Sequence, residues 1–310
     1  MKSILITGIG GDIAQSVAKI IRQYNPALKL VGSDVHSQHG GGLYVNELFE
    51  LPAASSTEYI AKLSELFEKE SVDTAIPMAE PELAVLGPLI KQRKEINWIT
   101  AGEQVIAAGI DKFATFYALK MLDLPVPWTI LVNNCAPKSY PCIFKNRFGS
   151  GSRAVFIVKD KKEADYLAER YPDAIYQELL EPADKEVTCA VYRTRDGRIS
   201  TLQMLRKLVG GLTGWAMVIN DDEITTMCAT IAEGLNLQGS MNVQLRVTEN
   251  GPRVFEINPR FSSTSLMRHK LGFTDVLWAL EEIEGKPIIF PIFNEGQVMV
   301  RTQDAAILSI

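Results

Sequence analysis

The apolar positions of the first hundred residues come in two alternating rhythms. Ile4-Leu5-Ile6 is a short continuous apolar run that ends in the glycine-rich Thr7 to Gly11, and Ile13, Val17, Ile20 and Ile21 then recur at helical spacing up to Tyr24. This predicts strand, glycine turn, helix. Leu30-Val31-Gly32 predicts a second strand ending at Ser33-Asp34, Thr57 to Lys69 an amphipathic helix, Thr74 to Ile76 a third strand and Glu82 to Arg93 another helix. Strands that alternate with helices predict a small parallel α/β sheet over residues 1–100.

Between Gly102 and Leu122 the spacing predicts two short helices, the second opening at Asp111 as N-cap, and Pro125-Val126-Pro127 breaks the helical register. Beyond this boundary the pattern is of strands joined by glycine turns: Cys142 to Phe144, Val155 to Val158, Ala174 to Gln177, Val187 to Tyr192 and Ile199 to Leu205, with a helix at Lys161 to Arg170. A helix from Asp221 to Leu235, a hairpin from Asn242 to Asn258 turning at Asn250-Gly251, and a helix from Thr274 to Glu284 follow. The expected class is α/β followed by α+β with antiparallel sheets, divided at 1–100, 101–180 and 181–310.

Composition narrows the function classes. The longest stretch without a charged residue is 14 positions, Leu124 to Pro137, and three prolines break it, so no membrane span is expected. The apolar run at the N-terminus is shorter than a secretory core, and a cytoplasmic location is expected. With 32 basic and 37 acidic residues, net charge -5, no global basic field favours nucleic acid. The four cysteines, Cys135, Cys142, Cys189 and Cys228, form no C-x-x-C pair and suit a reducing compartment.

Four groups of residues could carry chemistry. Thr7-Gly8-Ile9-Gly10-Gly11-Asp12-Ile13-Ala14 invites a dinucleotide, with Asp34 as the ribose acid, but Ile13 stands where the third glycine belongs and no Y-x-x-x-K pair exists. A tight strand-to-helix turn is the favoured reading of the glycines. His36 and His39 have zinc-like spacing without a third ligand nearby, and read as loop residues. Lys145, at the end of an apolar strand and before Gly149, Ser150, Gly151 and Ser152, brings one positive charge and several backbone N–H groups together, as a triphosphate requires; the alternative is a solvated hairpin turn. In the last hairpin Glu256 and Asn258 share a strand face, while Phe255 and Ile257 are expected in the core. With a three-residue loop Glu249-Asn250-Gly251, Gln244 falls opposite Glu256, so three oxygen-bearing side chains converge as a hard cation requires, or form an ordinary polar face.

These pieces, in this order, resemble the ATP-grasp superfamily. The string Asn242-Val243-Gln244, then Glu256-Ile257-Asn258-Pro259-Arg260-Phe261-Ser262, is most similar to the metal-binding end of the synthetase domains in the carbamoyl-phosphate synthase large subunit. The resemblance covers nearly the whole chain, because that superfamily places a small pre-ATP-grasp α/β domain before the two α+β lobes. It implies that Lys112 and Lys145 hold ATP phosphates, under a lid formed by Gly149 to Ser152. It implies that the backbone of Gln177-Glu178-Leu179-Leu180 meets adenine and that Glu186 binds the ribose. Gln244, Glu256 and Asn258 would hold Mg2+, with Mn2+ as a substitute, and Arg260 with Lys145 would act on the γ-phosphate or the acylphosphate.

The activity implied is a ligase that phosphorylates a carboxylate with Mg-ATP and joins the acylphosphate to an amine. Its partners would be small carboxylates and amines, with no nucleic acid and no membrane, and a homodimer is the assembly to look for. Arg206 and Lys207 lie where such proteins contact the acceptor, and would either hold a substrate carboxylate or form a solvated basic turn. Carbamoyl phosphate formation itself is not expected, because the chain carries neither a glutaminase partner nor a second synthetase half. Two other readings stay open: an NAD(P)-dependent oxidoreductase using the N-terminal turn, and a non-catalytic ATP-binding subunit.

Overall fold

The first sheet is the parallel one that the strand and helix rhythm predicts. In the computed structural model, which describes residues 1–133, 135–149, 155–302 and 305–306, it holds β1 (Ser3–Thr7), β2 (Lys29–Asp34), β3 (Glu47–Glu50), β4 (Thr74–Ile76) and β5 (Asn97–Trp98). Their order is β3-β2-β1-β4-β5, parallel throughout. Helices α1 (Asp12–Tyr24), α2 (Tyr59–Glu70), α3 (Glu80–Val85) and α4 (Gly87–Gln92) cover it. The single helix expected over Glu82 to Arg93 is two, because Pro88 has no N–H to continue the first and opens the second instead. β3 and β5 escaped the pattern: Glu-Leu-Phe-Glu is only half-buried, and β5 has two residues.

Helices α5 (Glu103–Gly109) and α6 (Lys112–Met121) follow, the second capped as expected by Asp111, whose carboxylate accepts from Phe113 N–H at 2.9 Å. A small antiparallel sheet comes next, of β6 (Thr129–Leu131), β7 (Cys142–Asn146), β8 (Val155–Val158) and β9 (Ala174–Glu178) in the order β6-β9-β7-β8. Helix α7 (Lys161–Arg170) packs Ala164 and Leu167 onto its Phe144 and Tyr176.

The large sheet is antiparallel, with β10 (Glu186–Arg193), β11 (Ile199–Val209), β12 (Leu212–Ile219), β13 (Gly239–Thr248), β14 (Gly251–Asn258) and β15 (Val298–Val300) in the order β14-β13-β10-β11-β12-β15. Because strand side chains alternate, β10 sends Val187, Cys189 and Val191 to one face, against α5, α6 and α8 (Asp222–Gly234). It sends Ala190 and Tyr192 to the other, against α9 (Ser265–Lys270) and α10 (Asp275–Ile283). On that second face the row turns polar at Thr188 and Glu186, and this end of the sheet carries the candidate site. Phe261, Val276 and Leu280 continue across to pack on α1, completing the core of the parallel sheet.

The hairpin β13–β14 corrects one expectation and preserves another. Thr248 pairs with Gly251 around a two-residue turn, which alone would have misplaced Gln244. A bulge between Gln244 and Leu245 restores Gln244 opposite Glu256, because Leu245 pairs with Val254 and Phe255 is the extra residue. Phe255 therefore leaves the core, where Val254 and Ile257 remain, and its ring turns toward Lys145 and Arg246.

Candidate functional site

Strand period places the central residues. Thr188 pairs with Gln244, Gln244 with Glu256 and Asn242 with Asn258, so one face of three neighbouring strands carries a continuous polar patch. Asn258 donates to Glu256 Oε1 at 3.2 Å. Glu186, at the start of β10, is gripped from both sides: Arg206 donates to its Oε1 from Nε at 2.9 Å and Nη2 at 2.7 Å, and Arg246 donates to its Oε2 at 2.6 Å. Arg206 Nη2 also donates to Gln244 Oε1 at 2.8 Å, and Arg246 Nη1 to the Leu180 carbonyl at 2.8 Å. One two-arginine network thus joins the expected ribose acid, one expected metal ligand and the expected adenine hinge.

The small sheet contributes Lys145 from β7. Its Nζ reaches the Phe255 carbonyl at 3.4 Å and lies 5.6 Å from the centre of the Phe255 ring. Burial pushes its pKa down to about 8, opposed by the Glu256 carboxylate, reinforced by Lys112 and opposed again by Glu186. Lys112, the first residue of α6, donates to the Gly149 carbonyl at 2.5 Å. The Asp111–Arg147 pair fixes this junction, with Nε to Oδ1 at 2.9 Å and Nη2 to Oδ2 at 2.6 Å, beside a bridge from Asp111 to Phe148. Gly149 has φ +92°, a conformation that favours glycine. Ser150, Gly151 and Ser152 lie outside the described residues.

The hinge spans the end of β9. Gln177 is buried and donates to Thr129 Oγ1 at 2.9 Å, Glu178 Oε2 accepts from Trp128 N–H at 3.1 Å, and Leu179 and Leu180 follow at the edge between the two sheets. Arg206 and Lys207 separate as neighbours on a strand must: Arg206 is buried in the network, while Lys207 is exposed, 5.7 Å above the Trp215 ring. Arg260 does not join the central cluster directly. Its Nη2 donates to Glu80 Oε1 at 2.8 Å, so the residue expected at the γ-phosphate is tied to α3 of the parallel sheet. Glu82 in turn fixes the start of α3, accepting from Tyr59 Oη at 2.9 Å, from Ala79 N–H at 3.2 Å and from Thr7.

Glu80, Arg246 and Phe255 were missed by sequence reasoning. Arg246 had a signal, since it stands two residues from Gln244 on one strand; Glu80 had only its position after the third strand; Phe255 had none, because a bulge cannot be read from alternation. For a hard cation the donor set fits in part: Glu256 with Asn258 supplies a carboxylate and an amide oxygen, while Gln244 Oε1 faces Arg206. Among the described residues no three His, Cys, Asp or Glu cluster as metal ligands, and no helix is long and apolar enough to cross a membrane.

The N-terminal glycine turn is filled by the chain itself. Gly10 N–H donates to Asp34 Oδ2 at 2.7 Å, and a Cβ on Gly10 would lie 2.5 Å from the His39 ring. His39 Nδ1 accepts from Gly41 N–H at 3.0 Å. Asp34 and His39 thus pack directly against the turn at Gly10.

Two antiparallel lobes that face each other across Lys145 and Glu256, behind a parallel sheet, define a class. The ATP-grasp domain family matches residues 110–264, half of the chain, and the chain belongs to that family. Within it, the chain is 24% identical over 270 residues to the carbamoyl phosphate synthase large chain of Thermoplasma acidophilum, covering 74% of this chain and 26% of that one, about a quarter of its length. Among solved structures it is similar to N5-carboxyaminoimidazole synthetase from Staphylococcus aureus complexed with ADP, at TM-score 0.77 and 18% identity over 96% of this chain and 80% of that one. The L-amino acid ligase from Bacillus licheniformis superposes with TM-score 0.73 and 16% identity, covering 91% and 74%. These structures share the fold.

Proposed function

We propose that the chain is an ATP-dependent carboxylate-amine ligase with the three parts 1–100, 101–180 and 181–310. The observation that carries this reading is the buried Lys145 of one sheet set against Glu256 and Glu186 of the other, where a nucleotide triphosphate would lie between them. The L-amino acid ligase among the structural neighbours supports a carboxylate and an amine as substrates.

In this reading Lys112 and Lys145 bind the phosphates, the Gln177 to Leu180 backbone meets the adenine edge and Glu186 meets the ribose. Glu256 and Asn258, with Gln244 once released from Arg206, would hold Mg2+, which would neutralise phosphate charge. A substrate carboxylate oxygen attacks the γ-phosphorus and ADP leaves; an amine nitrogen then attacks the acylphosphate carbonyl carbon, phosphate leaves and the nitrogen gives up a proton. No protein nucleophile is required. Lys145 stabilises the transferring phosphoryl group by fixed charge, and Arg260, freed from or shared with Glu80, would act on the acylphosphate. Arg206, as the partner of Glu186, orients the ribose acid, and Lys207 remains the candidate for the acceptor carboxylate.

Glu256→Ala tests the reading. Mg-dependent stabilisation by ATP and ADP release should both be lost, while the unliganded thermal midpoint stays near that of the wild type. Normal ATP turnover in this variant would refute the site.

A further inference from the structure

A second cleft, of about 370 Å3, opens at the far end of β10 from Glu186. Its walls come from three parts of the fold: Trp98 to Thr100 at the end of the parallel sheet, Arg193 to Arg195 leaving β10, and Asn236 to Gly239 leading into β13, with Glu282 of α10 at the rim. None of these residues belongs to the nucleotide-facing cluster. At its base Gly239 takes φ +72° and lies against the Tyr192 ring, so that the backbone itself forms the floor.

The polar groups of this cleft are unequally satisfied. Each oxygen of Glu282 already has a donor, Tyr192 Oη at 2.9 Å and Arg195 N–H at 2.7 Å. Arg193 Nη1 donates to Asn236 Oδ1 and to the Leu237 carbonyl, both at 3.1 Å, but its Nε is buried without any acceptor. The Arg195 side chain is exposed, and among the described residues neither guanidinium is paired with a carboxylate. Two guanidinium groups that line one cleft without a carboxylate partner among the described residues give it a positive charge that an oxyanion would meet. Beside it Trp98 is half-buried, its indole N–H committed to the Arg93 carbonyl at 3.1 Å and its ring edge-on to Phe67, which leaves the rest of the ring as an apolar wall.

We propose that this cleft is a second binding site, for a small oxyanion, carboxylate or phosphate monoester, carried on a flat apolar body. Arg193 and Arg195 take the oxyanion, Asn236 and Gln238 supply amides around it, and Trp98 packs against the body. The proposal goes beyond the ligase reading and does not depend on it. Ile99 and Thr100 line both this cleft and the narrow space beside Pro259, Arg260 and Phe261. The chemistry is therefore that of an effector or of a remote part of a substrate, recognised by its charge and its flat body.

Benzoate and phenyl phosphate are suitable probes, with inorganic phosphate as the arm without a ring. Each is titrated into the full chain by isothermal calorimetry and by tryptophan fluorescence, with and without saturating Mg-ATP. Saturable binding with a dissociation constant of about 1 mM or tighter is expected for at least one aromatic probe and not for inorganic phosphate. Preference for benzoate assigns a carboxylate ligand, preference for phenyl phosphate a phosphate monoester. Arg193→Gln and Arg195→Gln should each weaken binding at least fivefold, and Trp98→Phe should remove the fluorescence change. Among the described residues the Arg195 side chain makes no hydrogen bond, so Arg195→Gln carries the test if Arg193→Gln does not fold. No saturable binding by about 10 mM, weakening below fivefold in Arg195→Gln, or displacement by Mg-ATP would each overturn the proposal.

Discussion

Replacing Lys145 by methionine separates what this lysine costs the empty protein from what it gives the nucleotide. Its pKa stands at about 8 in the fold against 10.5 for a free side chain, and burial is the leading cause. The lowered value means that the unfolded chain binds more protons than the folded one between these two pH values. Stability therefore rises with pH across that window, and the full penalty is present below it. The difference between the two values corresponds to about 3 kcal/mol at pH 7, where the lysine is charged in both states, and to about 1 kcal/mol at pH 9.5. Lys145→Met removes the penalty. Its stability relative to the wild type, measured by urea unfolding, should be most favourable at pH 7 and shrink by about 2 kcal/mol at pH 9.5. That narrowing does not depend on whatever packing the thioether gains or loses, because those contacts do not titrate. The same variant should lose its stabilisation by Mg-ATP, and wild-type ATP binding should take up a proton near pH 8 as the phosphates restore the ammonium charge. Parallel stability curves for the two proteins across this range would refute the argument.

Further outcomes follow from other parts of the structure. Arg268 is fully buried, with Nε to Asp275 Oδ1 at 3.1 Å and Nη1 to Ser262 Oγ at 3.0 Å, so Asp275→Ala strands a buried cation and should cost about 3–5 kcal/mol by urea unfolding. Arg268→Met combined with Asp275→Leu should recover most of that loss, and a double variant as unstable as the single one would contradict it. Asp111→Ala removes an N-cap and a partly exposed ion pair, worth about 1–2 kcal/mol together. Burial raises the Asp111 pKa, but Arg147 and the helix N–H groups outweigh it and hold the net value below the usual range. The gap between wild type and Asp111→Ala should therefore be full at neutral pH and close as the pH falls through that lowered value; a gap unchanged in acid would show that the carboxylate is not responsible.

Much of this was legible in the chain because it rests on local periodicity. The helix Lys161–Arg170 falls where its spacing puts it, and the Asp111 cap is readable from one residue. Gln244 came out opposite Glu256 although the loop was read one residue too long, since the bulge at Phe255 compensated for it. Contacts between distant segments were not legible. Nothing in the sequence around Arg260 announces Glu80, 180 residues away, and nothing around Glu186 announces that two arginines from neighbouring strands converge on it. The same limit explains β3, whose pairing with β2 is long-range and whose composition carries no apolar run. Strand β12 was not read at all, although Trp215 to Ile219 is apolar; it pairs antiparallel with β11 across a bulge between Lys207 and Leu208.

The link from Arg260 to Glu80 bears on how the protein can be cut. A fragment beginning after residue 100 would retain both antiparallel sheets, yet its arginine would face water. The apolar sides of Phe261, Val276 and Leu280, now covered by α1, would be laid bare. The parallel sheet is therefore no detachable prefix, and any minimal working version of this protein must begin with it.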